Sequence, residues 1–533
     1  MQLNRVWILV LVLSGVTFAL YGQFLQNPFV FDDLLFFTVD GHGNIPVSNY
    51  SFSLFELRSL PYATLAWGKA WFGMDILHFR VENLLLHAAV VLALFFFLML
   101  LFETVLAGQD KADRLSSRAM AFFASLLFAL HPVATYAAGY LVQRTVVMAT
   151  FFSLLAMLAY LYGSIRQKTP WLWINVPLYY LAVFSKEHAI MLPVVLMVLT
   201  ILMHEDWRAK FKQRWAIFLA LAVIAVFVVA AKKGILGSVY EVDATGVRAD
   251  VDRALIYQLS VLTQAWLFFK YIVLWLLPNP AWMSIDMREP FAPSLWSSYS
   301  VALAAFFAWG VCAMRLLIKR GRLGLIGLSM LFPWLMFMTE MSVVRIQENF
   351  VLYRSYLWAV GACCLLPVLL DKLNKRIASI IVSMVALAMF PIAMERLATL
   401  SHPLLLWNDA EKLVADRDDL PGAARIYSNR GVEFLKIKRH KDATKDFNRA
   451  IHLLPTMPSA YNNLGATYLE LGEWQAAIAS FGKAIEVMQV SGQWDSRPFL
   501  GRAMAFERLG EIENARRDYE MSCRLTGRGC EKS

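Results

Sequence analysis

The chain has 533 residues, 59% hydrophobic and only 17% charged, with a positive mean hydropathy and a formal net charge of +10. Soluble domains sit near half apolar and a quarter charged, so this composition excludes an ordinary soluble protein and points to a polytopic membrane protein. The positive charge lies in short loops between apolar runs, as in cytoplasmic loops of membrane proteins, so no nucleic-acid partner is needed to account for it.

From the N-terminus, residues 1–21 place Arg5 before an apolar stretch with no small-x-small cleavage site after it, which predicts an uncleaved first membrane helix. Further runs at 84–102, 216–231 and 380–394 are long enough, or nearly so, to cross the hydrocarbon core. Helix is the expected form, because it satisfies its own backbone hydrogen bonds in lipid. Basic clusters fall at 111–118, 166–168, 208–214, 315–322 and 371–376. The loop 26–56 instead carries Asp32, Asp33, Asp40 and Glu56 with no lysine or arginine, so the basic clusters belong inside and this loop outside. The run 255–277 contains Gln258, Gln264 and Lys270. Read as an interfacial or re-entrant helix on the outer side, it keeps every later basic loop inside, gives about eleven spans, and puts the C-terminal domain outside.

After about residue 400 the sequence becomes polar and repetitive. Tyr427, Gly431, Phe434, Ala443, Phe447 and Ala450 recur 34 residues later as Tyr461, Gly465, Tyr468, Ala477, Phe481 and Ala484. That is the tetratricopeptide-repeat (TPR) period, with small residues where two helices cross. A third copy runs through Phe499, Ala503, Phe506, Ala515 and Tyr519, displaced by four extra residues around 490–494. These are packing positions; the function of such a stack is a concave surface for a protein partner. The expected fold class is therefore all-α: a helical membrane bundle over 1–398, then a TPR solenoid over 399–533 with repeats near 424–457, 458–491 and 496–525. Cys312, Cys363 and Cys364 lie in apolar spans as core residues. Cys523 and Cys530 flank the final turn, and an outside placement would let them form a closing disulfide.

Ionisable residues within apolar segments are costly and mark a site or a pair. By the topology above, several converge on the outer face: Arg80, Glu82 and His87; His131; Gln143 and Arg144; Lys186, Glu187 and His188; Arg354 and Tyr356. The adjacent Asp32 and Asp33 follow the first span directly and could act as a general base, hold a divalent metal, or be solvated loop charges.

The Phe31-Asp32-Asp33 loop, Arg58-Ser-Leu-Pro-Tyr62, the run from His78 to His87, Leu130-His-Pro-Val through Gln143-Arg144, and Phe184-Ser-Lys-Glu187 together resemble the transmembrane-and-TPR O-mannosyltransferases of animals and their bacterial relatives. More distantly, they resemble glycosyltransferases of the GT-C class. The bacterial relatives usually read Glu-His-Arg before a Tyr-Leu pair; here only Arg354 and Tyr356-Leu357 of that pattern are kept. The resemblance implies a multi-span fold, an acidic catalytic motif in the first outer loop, and a polyprenyl-phosphate sugar as donor. The expected roles follow: Asp32 or Asp33 as base, or as metal ligands if a divalent ion is used, with Arg80, His131, Arg144, Lys186, Glu187, Arg354 and Tyr356 binding donor phosphate or substrate. The expected partners are membrane lipid, the lipid-linked sugar and a protein acceptor on the TPR domain. The expected location is a bacterial inner membrane with the TPR domain periplasmic. The competing function is a non-catalytic TPR scaffold for envelope or pilus assembly; a transporter fits less well, because the charges gather at one face and not at the midplane.

Overall fold

The structure, a computed structural model, describes residues 2–38, 45–108, 113–231, 254–346 and 348–526. Its architecture is an all-α membrane helical bundle followed by TPR helix pairs; among the described residues the β-structure amounts to isolated bridges such as Met287 with Phe350. Among the described residues seven helices are long and apolar enough to cross a membrane, and nine if two bent pairs each count as one span. The helix Thr169–Ser185, with 17 residues, and the shorter apolar stretches Glu187–Met203 and Ala359–Leu369 pack among them. One bent pair breaks by 54° after Leu130, where Pro132 lacks the amide a continuous helix would need.

The basic clusters, dispersed in sequence, gather at one end of the bundle. Arg114 and Arg322 both pair with Asp371, at 3.4 and 2.7 Å. The Lys375 amide donates to the Asp113 carbonyl at 2.6 Å. Arg320 donates to the His204 carbonyl at 2.6 Å, and Gln167, Lys210 and Arg214 line one small cavity. The helix Lys375–Ala398 starts at this end and, over 24 residues or about 36 Å, reaches the other, where the Asn27 amide donates to the Leu397 carbonyl. The first loop and the start of the TPR region therefore share the end remote from the basic clusters.

The helix Ile256–Leu276 is long enough to cross, yet the chain leaving it turns back alongside it. Lys270 pairs with Glu289, the Ala292 amide donates to the Thr263 hydroxyl at 2.9 Å, and Trp266 contacts Tyr299 at 5.5 Å. The next helix, Ser298–Ile318, thus begins beside the first half of Ile256–Leu276.

Three antiparallel helix pairs form the TPR region: Ala423–Lys436 with His440–Leu453, Pro458–Leu471 with Trp474–Ser491, and Arg497–Arg508 with Ile512–Thr526. The glycines of the repeat explain themselves, since a Cβ at Gly431 would lie 2.6 Å from the Phe447 ring and one at Gly465 2.8 Å from Phe481. The four extra residues before the third repeat are absorbed as one more helical turn: Trp474–Ser491 has 18 residues where His440–Leu453 has 14. Bidentate clips join the two helices in the first and third repeats, Arg430 to Asp446 and Arg502 to Asp518, while the second has Leu464 and Ser480 in their place. The short helix Pro403–Glu411 and the first pair continue the membrane bundle's hydrophobic core through Trp407, Ile426, Tyr427 and Ala450. A stack of three repeats is near the minimum for independent stability, and this one leans on the bundle. Cys530, and with it the expected pairing to Cys523, lies outside the described residues, as does Asp40.

Candidate functional site

A cavity of about 550 Å³ opens at the end of the bundle remote from the basic clusters. The first loop brings Asp32 to it, the start of the helix Ser59–Phe72 brings Arg58, the turn after Ser185 brings Lys186, Glu187 and His188, and the loop after Met341 brings Arg345, Glu348 and Arg354. The facing wall is apolar, with Leu35, Phe36, Val228, Val229, Met338 and Val343. Val228 and Val229 end the helix Trp215–Ala231, whose Leu219, Val223, Val226 and Phe227 are exposed, so the apolar wall adjoins the surface that faces lipid. A second cavity of about 750 Å³, between Trp266, Trp282 and Val301, is larger and is lined by fewer charged groups, Lys270, Arg288, Glu289 and Arg417.

The charges in the first cavity are organised by a residue behind it. Glu340, 1% exposed at the end of the helix Gly321–Met341, pairs with Arg345 at 2.7 Å and Arg354 at 3.2 Å, and lies 2.6 Å from His188 Nε2. Arg58 pairs with Glu187. Arg354 also donates to the Glu348 carbonyl at 3.2 Å, and Arg425 of the first TPR helix donates to the Glu348 carboxylate at 2.6 Å. Burial opposes ionisation of Glu348, but the Arg425, Arg354 and Arg288 charges prevail and hold it down at about 2.

The two adjacent aspartates are separated by their surroundings. Asp32 lines the cavity; its N–H donates to the Tyr140 hydroxyl at 2.8 Å. Burial raises its carboxyl above the ordinary range, opposed by a hydrogen bond from Tyr140. Asp33 points the other way, fully buried, accepting from the Val142 amide at 3.0 Å and the Val30 amide at 3.3 Å. Burial pushes it up to about 7, against the Arg80 charge and these two donors. Of the expected pair, then, Asp32 faces the cavity and Asp33 faces the backbone of the loop and of Val142. Each Asp33 oxygen accepts one backbone N–H bond, and among the described residues no three His, Cys, Asp or Glu side chains cluster as metal ligands.

The other expected residues divide in the same way. Lys186, Glu187 and Arg354 line the cavity. Arg80 does not: its guanidinium donates to the carbonyls of Asn27 at 3.1 Å, Pro28 at 2.6 Å and Gly139, tying the first loop down. Arg144 pairs with Glu82 at 2.7 Å and donates to Asn83 at 2.6 Å. His131 stacks on Trp275 at 4.2 Å, and Tyr356 meets His87 Nδ1 at 2.6 Å inside the bundle. These four set the framework around the loops and do not reach the cavity. Arg58, Glu340, Arg345 and Glu348 were missed as site residues. A signal existed for Glu340, a carboxylate inside an apolar run, and for Arg58, the first residue of one quoted motif.

A tetratricopeptide-repeat family model matches residues 456–526, within the second and third helix pairs. The chain is also similar to a human protein, Protein O-mannosyl-transferase TMTC1, with 30% identity over 166 residues. That similarity covers 28% of this chain and 17% of the human protein, so most of the relative's length has no counterpart in the match.

Proposed function

We propose that this protein is a GT-C-type membrane glycosyltransferase that moves a sugar from a polyprenyl-phosphate donor to a hydroxyl of a protein acceptor. The observation that carries this reading is the single cavity that brings Asp32, Lys186, Arg58, Arg345 and Arg354 to face an apolar wall beside the lipid-exposed surface. A lipid-linked sugar phosphate has these two halves. The isoprenoid lies along Val228, Val229 and Met338, entering sideways from the bilayer, while the phosphate meets the cations. Asp32 accepts the acceptor hydroxyl proton as that oxygen attacks the anomeric carbon; the carbon–oxygen bond to phosphate breaks and the polyprenyl phosphate leaves with the electron pair. Its growing charge is stabilised by Lys186 and the arginines. No step is routed through a metal. A single displacement inverts the anomeric carbon. The name of the human relative makes mannose the first sugar to test. With the basic end cytoplasmic, the cavity and the TPR stack face the periplasm of a bacterial inner membrane, where the repeats hold the acceptor.

The deciding experiment replaces Asp32 by Asn and measures glycan occupancy of the native acceptor at equal expression. A positioned base contributes a factor of about 10²–10⁴, so occupancy should nearly vanish while membrane insertion persists. Unchanged occupancy would leave the non-catalytic scaffold as the better reading.

A further inference from the structure

We infer that the first TPR helix braces the loops of the cavity from behind: Arg425 is a positioning residue that, together with Trp407, clasps the Phe31–Asp32 loop and holds Asp32 and Glu348 in place on the cavity lining. This rests on the proposal that Asp32 is the working carboxylate. Phe31 has φ +54°, a left-handed conformation that a bulky side chain leaves unless its surroundings hold it there. Two of the three groups packed on its ring come from beyond the membrane bundle. The Arg425 guanidinium lies 5.0 Å from the Phe31 ring centroid and the Trp407 ring 5.4 Å from it, with Tyr140 at 6.0 Å. Arg425 meanwhile donates to Glu348 at 2.6 Å and sits 3.9 Å from Asp286. Trp407 stands on the short helix Pro403–Glu411, whose Asp409 is fixed by a buried pair with Arg396 at 2.9 Å. The groups around Asp32 are Tyr140 and Tyr353 from the bundle, Glu348 and Asp286 from its loops, Asp33 beside it, and Arg425, which supplies positive charge among these carboxylates. Because Arg425 belongs to the helix Ala423–Lys436, a protein seated on the repeats would share a rigid element with Asp32.

The test is hydrogen–deuterium exchange over residues 30–38 of the full-length protein in nanodiscs, which needs neither donor nor acceptor. The amides of Asp32, Asp33, Leu34 and Leu35 are bonded to Tyr140, Val30, Phe31 and Asp32 respectively, so loosening the loop is read directly. Arg425→Met keeps the packing of the stem and loses the charge; exchange there should rise about tenfold, with the second and third repeats unchanged. Arg425→Lys keeps the charge over the ring and should stay within about twofold of wild type. A Met variant that exchanges like wild type, or a Lys variant as fast as Met, overturns the clasp. Should protection be lost through the repeats as well, Glu348→Gln decides from the other side: faster exchange at 30–38 supports the clasp and unchanged exchange overturns it. Retained transfer in Asp32→Asn would count against the enzymatic reading alone, since the exchange result stands without it.

Discussion

The Glu340 cluster gives the sharpest test of how the cavity is held together. Replacing Glu340 by Gln preserves shape and one acceptor oxygen but removes the negative charge that faces Arg345 at 2.7 Å, Arg354 at 3.2 Å and His188 at 2.6 Å. A hydrogen bond to a charged group contributes about 1.5–3 kcal/mol. Removing one partner of a buried pair costs about 3–5 kcal/mol, because the remaining charge is left without compensation. Three partners would suggest a larger loss, but Gln still accepts one bond and the arginines can turn toward the cavity, so about 3–5 kcal/mol is the expected destabilisation. A multi-span protein does not unfold in two states, so the assay is the temperature at which half the detergent-solubilised protein stays monodisperse, expected to fall by about 5–10 °C. Adding Arg345→Gln to Glu340→Gln removes one stranded charge and should recover part of the loss, a coupling of at least about 1 kcal/mol. A single-variant shift below about 1 °C, or a double variant at or below the sum of the two singles, would refute the account.

At pH 5, Asp33→Asn should destabilise the protein by about 1–3 kcal/mol, since an amide cannot accept from both the Val142 and Val30 N–H groups. The raised Asp33 value also sets a pH dependence. Its contribution is fully present below the unfolded value near 3.8 and is lost as pH rises through about 7, so wild type should lose roughly 2–3 kcal/mol relative to the Asn variant between pH 5 and 8; parallel melting curves across that range would disprove it. Gly465→Ala brings a Cβ to 2.8 Å from the Phe481 ring, a clash of about 1–3 kcal/mol that outweighs the helix propensity gained by Ala; limited proteolysis should cut the repeats faster, and wild-type resistance would show that the ring can move aside.

The sequence alone determined those features that are periodic or compositional. The apolar runs fix membrane helices because lipid leaves no other way to satisfy the backbone. The 34-residue recurrence fixes the helix pairs, because Gly431 and Gly465 must admit Phe447 and Phe481. The basic loops, spread from Arg114 to Lys375, were legible as one side, and in the structure they meet at one end. Tertiary structure alone decided which of the intramembrane charges face the cavity. Arg80 and Arg144 look in sequence like Lys186 and Arg354, yet the first two spend their donors on carbonyls, Asn83 and Glu82. A buried guanidinium has five donors to satisfy, and sequence does not say whether backbone, carboxylate or cavity will do so. Asp32 and Asp33 differ by one position and two opposite directions, because the left-handed turn at Phe31 sends one carboxylate toward Tyr140 and the cavity and the other onto the Val142 amide. That turn is held by Trp407 and Arg425, nearly four hundred residues later in the chain, a contact that only folding brings together.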